Sequence, residues 1–317
     1  MDAAATLHTL APSFDSESDA VLVAIPAHNE DRYIGSLILK LRARGLSVLV
    51  IDDGSTDATT NVAEAAGAMV ARHPRNLGKA AAVHTAFQQA RELEVSALVL
   101  LDGDSQHDPD DVESVVAPIL SGQADMVVGS RYAGSGNDMP RWRVVGQQAL
   151  SLATNIGSGL HLTDTQSGFR AFSRRAFEQI SFRGQGFTVE SEMQFQAKER
   201  GWKVLEVPIQ VHYELPIKRN PVVQGMRTLD GIFRLIAEHR PLLFFTLPGL
   251  LLFLAGLGLG VNVVRIYEAT LQLAVGYALI TVLLCLGGML SMFVGIMLHA
   301  MRGLLERAVA THRAPPD

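Results

Sequence analysis

Two uncharged apolar runs near the C-terminus restrict this chain more than any other feature. From Leu242 to Val264 it reads "LLFFTLPGLLLFLAGLGLGVNVV", and a second run extends from Leu271 to Met301. Each is long enough to cross the roughly 30 Å hydrocarbon layer of a bilayer as a helix. Lipid offers no partner to a backbone N–H or C=O, so such a segment must close its own hydrogen bonds, and a helix does that. Two buried helices of a soluble domain are the competing reading, but such helices seldom stay apolar on every side for this length. Only "RIYEAT" separates the runs, which predicts a transmembrane hairpin over 241–301. Lys218, Arg219, Arg227, Arg234 and Arg240 precede it and Arg302, Arg307 and Arg313 follow, whereas the connection holds Arg265 alone. The positive-inside rule then puts both ends, including a tail over 302–317, in the cytoplasm. "GLGLG" at 256–260 imitates a nucleotide loop, but inside a membrane helix small residues serve helix packing.

The remainder is polar enough to be a soluble domain. A net charge of −5 argues against a nucleic-acid binder. Cys285 is the single cysteine and lies in the second apolar run, so neither an intrachain disulfide nor a cysteine zinc site is available. Residues 1–19 lack a basic n-region and end in "SFDSESD"; they read as a disordered tail. Between Pro221 and Pro241, Val222, Met226, Leu229, Phe233 and Ile236 recur at helical spacing opposite Arg227, Asp230, Arg234 and Glu238. The 220–240 segment is thus an amphipathic helix that either lies in the membrane interface or packs on the domain before it.

From 20 to 219 short β-rich runs alternate with helical stretches: "AVLVAIP", a helix near 31–43, "SVLVID", a helix near 57–66, "AMVAR", a helix near 79–93, then "SALVLLD". This predicts an α/β domain, a mostly parallel sheet with helices on both faces. Open sheets of this kind bind ligands at the carboxyl ends of their strands. "PAHNE", "DDGSTD" and "DGDSQ" each follow a strand and should line one rim.

Asp102 and Asp104, with Gly103 permitting a bend between them, can turn toward one hard cation, and oxygen-only ligands favour Mg2+ or Mn2+ over zinc. Acids after a strand are often helix caps, and Asp108, Asp110 and Asp111 read that way, with Pro109 near the first turn of the next helix. His28, His107 and His212 are scattered singly, as solvated or hydrogen-bonded histidines are. "DDGSTD" lacks the spacing and the distal Glu of an EF-hand. Lys79 in "RNLGKA" either approaches a diphosphate or solvates a helix start.

"IPAHNE", "VIDDGSTD", "RNLGKA", "LLDGDSQHDP", "GSRY" and "DTQSGFRAFSR" occur in this order, and together they resemble the family 2 glycosyltransferases of GT-A fold. Within that family the pattern over about 20–215 is most similar to polyprenyl-phosphate (dolichyl-phosphate) hexose synthases, several of which carry a two-helix anchor. The resemblance implies that Asp52 and Asp53 contact base and ribose, with Pro26, Ala27 and Glu30 shaping the same pocket. It implies metal ligation by Asp102, Asp104 and Gln106. It also implies that Arg131 and Arg143 grip the lipid phosphate. Glu190 and Glu192 match acids that face the acceptor; they are orienting groups, with Glu192 the candidate base. Asp164 is comparable, or serves a turn. The family's Arg-x-Gly-x-Ser-Lys stretch is absent after "VPI", where "QVHYELPIKRNPVVQG" offers Lys218 and Arg219 instead.

A sugar nucleotide leaves as a diphosphate, so a cation there offsets charge that grows in the transition state. A lipid monophosphate, with a second pKa of about 6, is already mostly dianionic at neutral pH. It needs positioning more than deprotonation. The leading expectation is therefore an inverting hexosyltransferase that moves a sugar from a UDP- or GDP-sugar to a membrane polyprenyl phosphate. A processive polysaccharide synthase would need a Gln-x-x-Arg-Trp element, and Asp138 stands at its glutamine position before Arg141 and Trp142. A silent scaffold or flippase subunit would have no chemical use for so many acids on one rim.

Overall fold

A computed structural model describes residues 6–7, 21–104, 106–134, 141–182, 189–211 and 221–313. The chain falls into two compact units, Met1–Ile232 and Phe233–Asp317.

The first unit is built on an eight-stranded mixed sheet of order β1-β4-β3-β2-β5-β7-β6-β8. Its strands are β1 (Thr6–Leu7), β2 (Val21–Ala27), β3 (Ser47–Asp52), β4 (Met69–Arg72), β5 (Ala97–Leu100), β6 (Met126–Ser130), β7 (Arg170–Ser173) and β8 (Val204–Pro208). β2 pairs in parallel with both β3 and β5, β3 with β4, and β6 with β8. β7 runs antiparallel to β5 and to β6, between which it lies. Alternation along each strand divides the core. Leu22, Ala24, Leu49 and Ile51 pack with α3 (Lys79–Glu92) and α7 (Val189–Glu199) on one face. Val23, Ile25, Val48 and Val50 pack with α1 (Ile34–Arg42) and α4 (Asp111–Leu120) on the other. The expected three-layer α/β architecture is present.

Several local expectations are corrected. Thr6 and Leu7 pair antiparallel with Arg72 and Ala71, so part of the segment assigned to a disordered tail belongs to the sheet edge. α2 is shorter than its run of small residues predicts, Thr59–Ala65. α4 starts at Asp111, which leaves Pro109 ahead of the first turn. Asp108 accepts from the Asp110 N–H at 3.0 Å, while Asp110 at the N-cap makes no side-chain capping bond. Asp111 accepts from the Gln210 N–H at 2.7 Å and ties the helix to the end of β8.

α5 (Arg141–Ser158) and α6 (Arg174–Gln179) complete the domain, and α8 spans Pro221–His239. The face of α8 that is buried holds Thr228, Ile232, Leu235 and Ile236, whereas Met226 and Phe233 of the expected apolar stripe are exposed.

In the second unit a π-helical turn over Leu242–Thr246 runs into α9 (Leu247–Thr270), and α10 covers Val275–Arg313. Two helices, Leu242–Thr270 and Val275–Leu304, are long and apolar enough to cross a membrane. "RIYEAT", expected as the loop, is the last stretch of α9; the chain reverses after it, with Leu271 in the left-handed region at φ 55°. Most of the expected 302–317 tail is likewise helical, through Arg313.

Candidate active site

The sheet order changes direction at β2: β3 and β4 extend to one side of it, and β5 returns on the other. Crevices at such switch points, outside the carboxyl ends of the strands, are where α/β sheets hold ligands. Pro26 and Ala27 end β2, Asp52 ends β3, and Asp102 stands just past β5. A pocket there is lined by Pro26, Lys79, Asp102, Gly168, Arg170 and Glu190, among others.

At its floor the Lys79 ammonium bridges Asp102 Oδ1 and Glu190 Oε1, each at 2.8 Å. Burial alone would lower the Lys79 pKa, but the two carboxylates outweigh it and raise the pKa. Asp102 is likewise pushed up by burial and held down, in net, by Lys79 first and then His107 and Arg131. Asp104 moves the other way, to about 6, because burial and the charge of Asp102 both oppose its ionisation. An acid in that condition is short of positive charge, which a divalent cation supplies. Among the described residues no three acids or histidines converge on one point. Asp102 and Asp104 are two carboxylates that could hold a hard cation only with further oxygen ligands from amide, water or substrate. Gln106 donates its backbone N–H to Asp104 Oδ1 at 3.1 Å, which puts it beside that pair.

Asp52 and Asp53, expected to touch the nucleoside, both turn inward. Asp52 is wholly buried; it accepts from the Ser55 N–H at 2.8 Å and from the Thr60 hydroxyl. Asp53 accepts from the N–H groups of Leu77 and Gly78, both at 2.8 Å, and meets His73 Nδ1 at 2.7 Å. Those bonds outweigh burial and lower its pKa. His73 continues to the Thr85 hydroxyl at 2.9 Å, so Asp53 anchors the loop that delivers Lys79. Gly78 precedes that lysine with φ 94°, a backbone conformation that L side chains rarely adopt. Glu30 donates its N–H to Thr59 at 2.8 Å and opens the turn into α1, and His28 bonds the Asp53 carbonyl at 2.9 Å.

Arg131, expected to grip an acceptor phosphate, forms a bidentate pair with Asp164, Nε and Nη2 donating at 2.6 and 2.7 Å. The Arg131 N–H adds a third bond at 3.1 Å. Burial pushes Asp164 up, yet these contacts hold its pKa below the usual carboxylate range. Arg143 lies in the first turn of α5. Glu192 is buried in the first turn of α7 with Glu190, but it is Glu190 that reaches Asp102 through Lys79. Lys218, Arg219 and His212 lie outside the described residues.

Gly168 and Arg170 were not anticipated as site residues. β5 and β7 pair Leu100 with Arg170, and carrying that antiparallel register two residues on sets Gly168 opposite Asp102. A Cβ on Gly168 would come within 2.9 Å of the Asp102 Cγ. The sequence signal was available: in "FRAF" the β alternation puts Arg170 on the same inward face as Phe172.

Residues 22–181 match Glycosyl transferase family 2. Glycosyltransferase AglJ of Haloferax volcanii is 32% identical over 77% of this chain and 81% of its own length. The UDP-N-acetylglucosamine--dolichyl-phosphate N-acetylglucosaminyltransferase of Methanococcus voltae is 31% identical over 61% of this chain and 86% of its own. The fold is also that of glucosyl-3-phosphoglycerate synthase from Mycobacterium tuberculosis, solved with Mn2+, UDP and phosphoglyceric acid, at a TM-score of 0.54, 21% identity, and coverage of 69% of this chain and 78% of that one. With a switch-point crevice ringed by paired acids and a family match over half its length, the chain belongs to glycosyl transferase family 2 and is a glycosyltransferase.

Proposed function

We propose that this glycosyltransferase moves a hexose from a nucleoside-diphosphate sugar to the phosphate of a membrane polyprenol, with inversion at the anomeric carbon and its catalytic domain on the cytoplasmic side. The observation that carries the proposal is one chain combining an acid-lined donor crevice, a bidentate Arg131–Asp164 pair beside it, and two apolar spans. The dolichyl-phosphate acceptor in the name of the Methanococcus voltae relative supports the same acceptor class.

Asp102 and Asp104, with Gln106, would hold Mg2+ or Mn2+, the latter being the metal named with UDP in the fold relative's complex; the cation would offset charge on the departing diphosphate. Lys79 adds a fixed ammonium beside Asp102, suited to the same diphosphate. Pro26, Ala27 and Glu30 wall the nucleoside side, and Asp52 and Asp53 act by holding those walls. Arg131, oriented by Asp164, presents a planar donor group to the acceptor phosphate, with Arg143 as its second cation. A phosphate oxygen of the acceptor bonds to the anomeric carbon as the bond to the diphosphate breaks. No general base is needed for a dianion. Glu190 and Glu192 therefore orient substrate rather than take a proton.

The test is incubation of the purified protein with Mg2+ or Mn2+, a short polyprenyl phosphate and a panel of UDP- and GDP-sugars, read by mass spectrometry and NMR of the lipid. A β-linked lipid phosphate from an α-linked donor is expected. An α-linked product, or sugar polymer with no lipid-linked monosaccharide, refutes the proposal.

A further inference from the structure

Arg170 is the largest side chain with no exposure among the described residues, and its hydrogen bonds go to no carboxylate. Nε donates to the Ser167 carbonyl at 2.9 Å, Nη2 to the Thr165 carbonyl at 2.7 Å, and Nη1 to the Glu190 carbonyl at 2.8 Å and to the Met193 sulfur at 3.7 Å. Burial lowers its pKa to about 10 against the pull of Glu190, Asp164 and Glu206, so it stays charged at neutral pH. Removing a guanidinium from water is expensive, and well-packed apolar side chains of similar volume fill a core at no such cost. The loop before β7, however, has carbonyls that no ladder satisfies, and a five-donor fork can satisfy several together.

What that loop touches gives the charge a use. Gly168 is pressed against Asp102, and Asp164 grips Arg131. β7 lies between the strands that lead to these two residues: Arg170 is the register partner of Leu100 on β5 and of Val128 on β6. Glu206 on β8 holds the loop's other end, accepting from the N–H groups of Thr163 at 2.8 Å and Asp164 at 3.0 Å. We propose that Arg170 is a positioning residue that sets the separation of the donor acid Asp102 and the acceptor arginine Arg131, acting through the 163–169 loop that contacts both. The same fork ends on the Glu190 carbonyl, so the turn of α7 that faces Lys79 is fixed by it as well.

The inference rests on the proposed transfer for its acceptor arm, and the donor arm is read independently of turnover. Full-length protein in detergent is titrated by calorimetry with Mn2+ plus UDP, and in parallel with GDP. The acceptor arm is read as KM for farnesyl phosphate. Arg170→Lys keeps the charge but loses the fork, and both arms should weaken together by about tenfold, a common size for coupling through one element. Gly168→Ala, which pushes on Asp102 alone, should weaken only nucleotide binding; combined with Arg170→Lys it should cost less than the sum, since both act through the same carboxylate. Weakening of one arm only, or a lowered Tm with both affinities intact, overturns the proposal. Should Arg170→Lys fail to fold, Glu206→Gln loosens the same loop from β8, and unchanged binding in both arms then overturns it. If the wild-type enzyme transfers no sugar to any polyprenyl phosphate, the functional reading fails while the nucleotide titration still decides whether Arg170 sets Asp102.

Discussion

Asp102 and Asp104 are separated by one glycine yet carry opposite perturbations, one held ionised by Lys79 and the other driven to about 6 by burial and its neighbour's charge. The imbalance makes Asp104 the carboxylate of the pair that lacks a compensating positive charge, and so the one on which to test the proposed metal role. Asp104→Asn should leave the fold intact and lower transfer by at least about a hundredfold, since an amide cannot supply the missing charge to a hard ion. Transfer rates of the variant across a Mn2+ titration check this, and full rates at any concentration would remove the metal role from Asp104. Asp164 makes a second prediction at this scale. Its pKa is lowered in the fold, so the stability it contributes is complete above the ordinary carboxylate pKa and is lost as pH falls through the lower folded value. Removing the carboxylate opposite a nearly buried arginine costs on the order of 3 kcal/mol. The Tm gap between wild type and Asp164→Asn should be constant between about pH 5 and 8, begin to narrow below about pH 4 and close only as pH falls through the lower folded value; a gap that widens in acid would contradict it. Asp102, Asp104, Arg131 and Asp164 were picked out as candidates by residue type and motif order. Gly168 was not, because its place against Asp102 depends on an antiparallel register that local sequence does not state, and Arg170 was readable only as an inward-facing strand residue, not as the partner of the loop carbonyls.

At the scale of elements, strands and helices of the sheet follow from alternation and spacing, while their ends depend on contacts made elsewhere. α9 continues through Arg265 and Glu268 because a polar stretch at the end of an apolar helix can extend it, so the reversal falls at Leu271. The hairpin's packing was visible as glycines but not as a seam. Gly249 and Gly256 on α9 face Gly288 and Cys285 on α10, and the Ser291 hydroxyl bonds the Phe245 carbonyl at 2.7 Å. A Cβ on Gly288 would meet the Gly249 oxygen and the Phe253 nitrogen, both at 2.6 Å, whereas one on Gly287 meets nothing within 4 Å. Gly288→Leu should therefore force the helices apart at a cost of about 1–3 kcal/mol, and Gly287→Leu should be neutral. Cys285, the only cysteine, lies in the seam and reports the separation. Maleimide labelling in detergent should accelerate in the first variant alone; equal rates in both would mean that this seam does not hold the hairpin.

The whole molecule joins a domain with its own core to a pair of apolar spans. Among the described residues, the buried members of both apolar clusters of the catalytic domain lie between Leu22 and Ile209, with Val21 and Val211 packed against one of them, on the two faces of one sheet. Neither cluster takes a buried side chain, among the described residues, from α8 or the hairpin, so a chain ending before Pro221 keeps both clusters and loses from the first unit only its last stretch, up to Ile232. The pocket residues Pro26, Lys79, Asp102, Gly168, Arg170 and Glu190 also precede that point. The truncated protein should be soluble and bind Mn2+–UDP or Mn2+–GDP within about threefold of the full chain, a difference of less than 1.4 kcal/mol. Its acceptor behaviour should split by chain length. A short, water-soluble isoprenyl phosphate reaches the site by diffusion, whereas a long polyprenyl phosphate stays in the bilayer, and only an anchored enzyme gains the high local concentration that a shared surface provides. Rates measured on farnesyl phosphate in solution and on a long polyprenyl phosphate in vesicles should therefore diverge by at least about a hundredfold on truncation, in the range that tethering effects reach. Equal loss on both acceptors would make the C-terminal helices part of the catalytic site, and equal retention would mean that the domain finds the membrane without them.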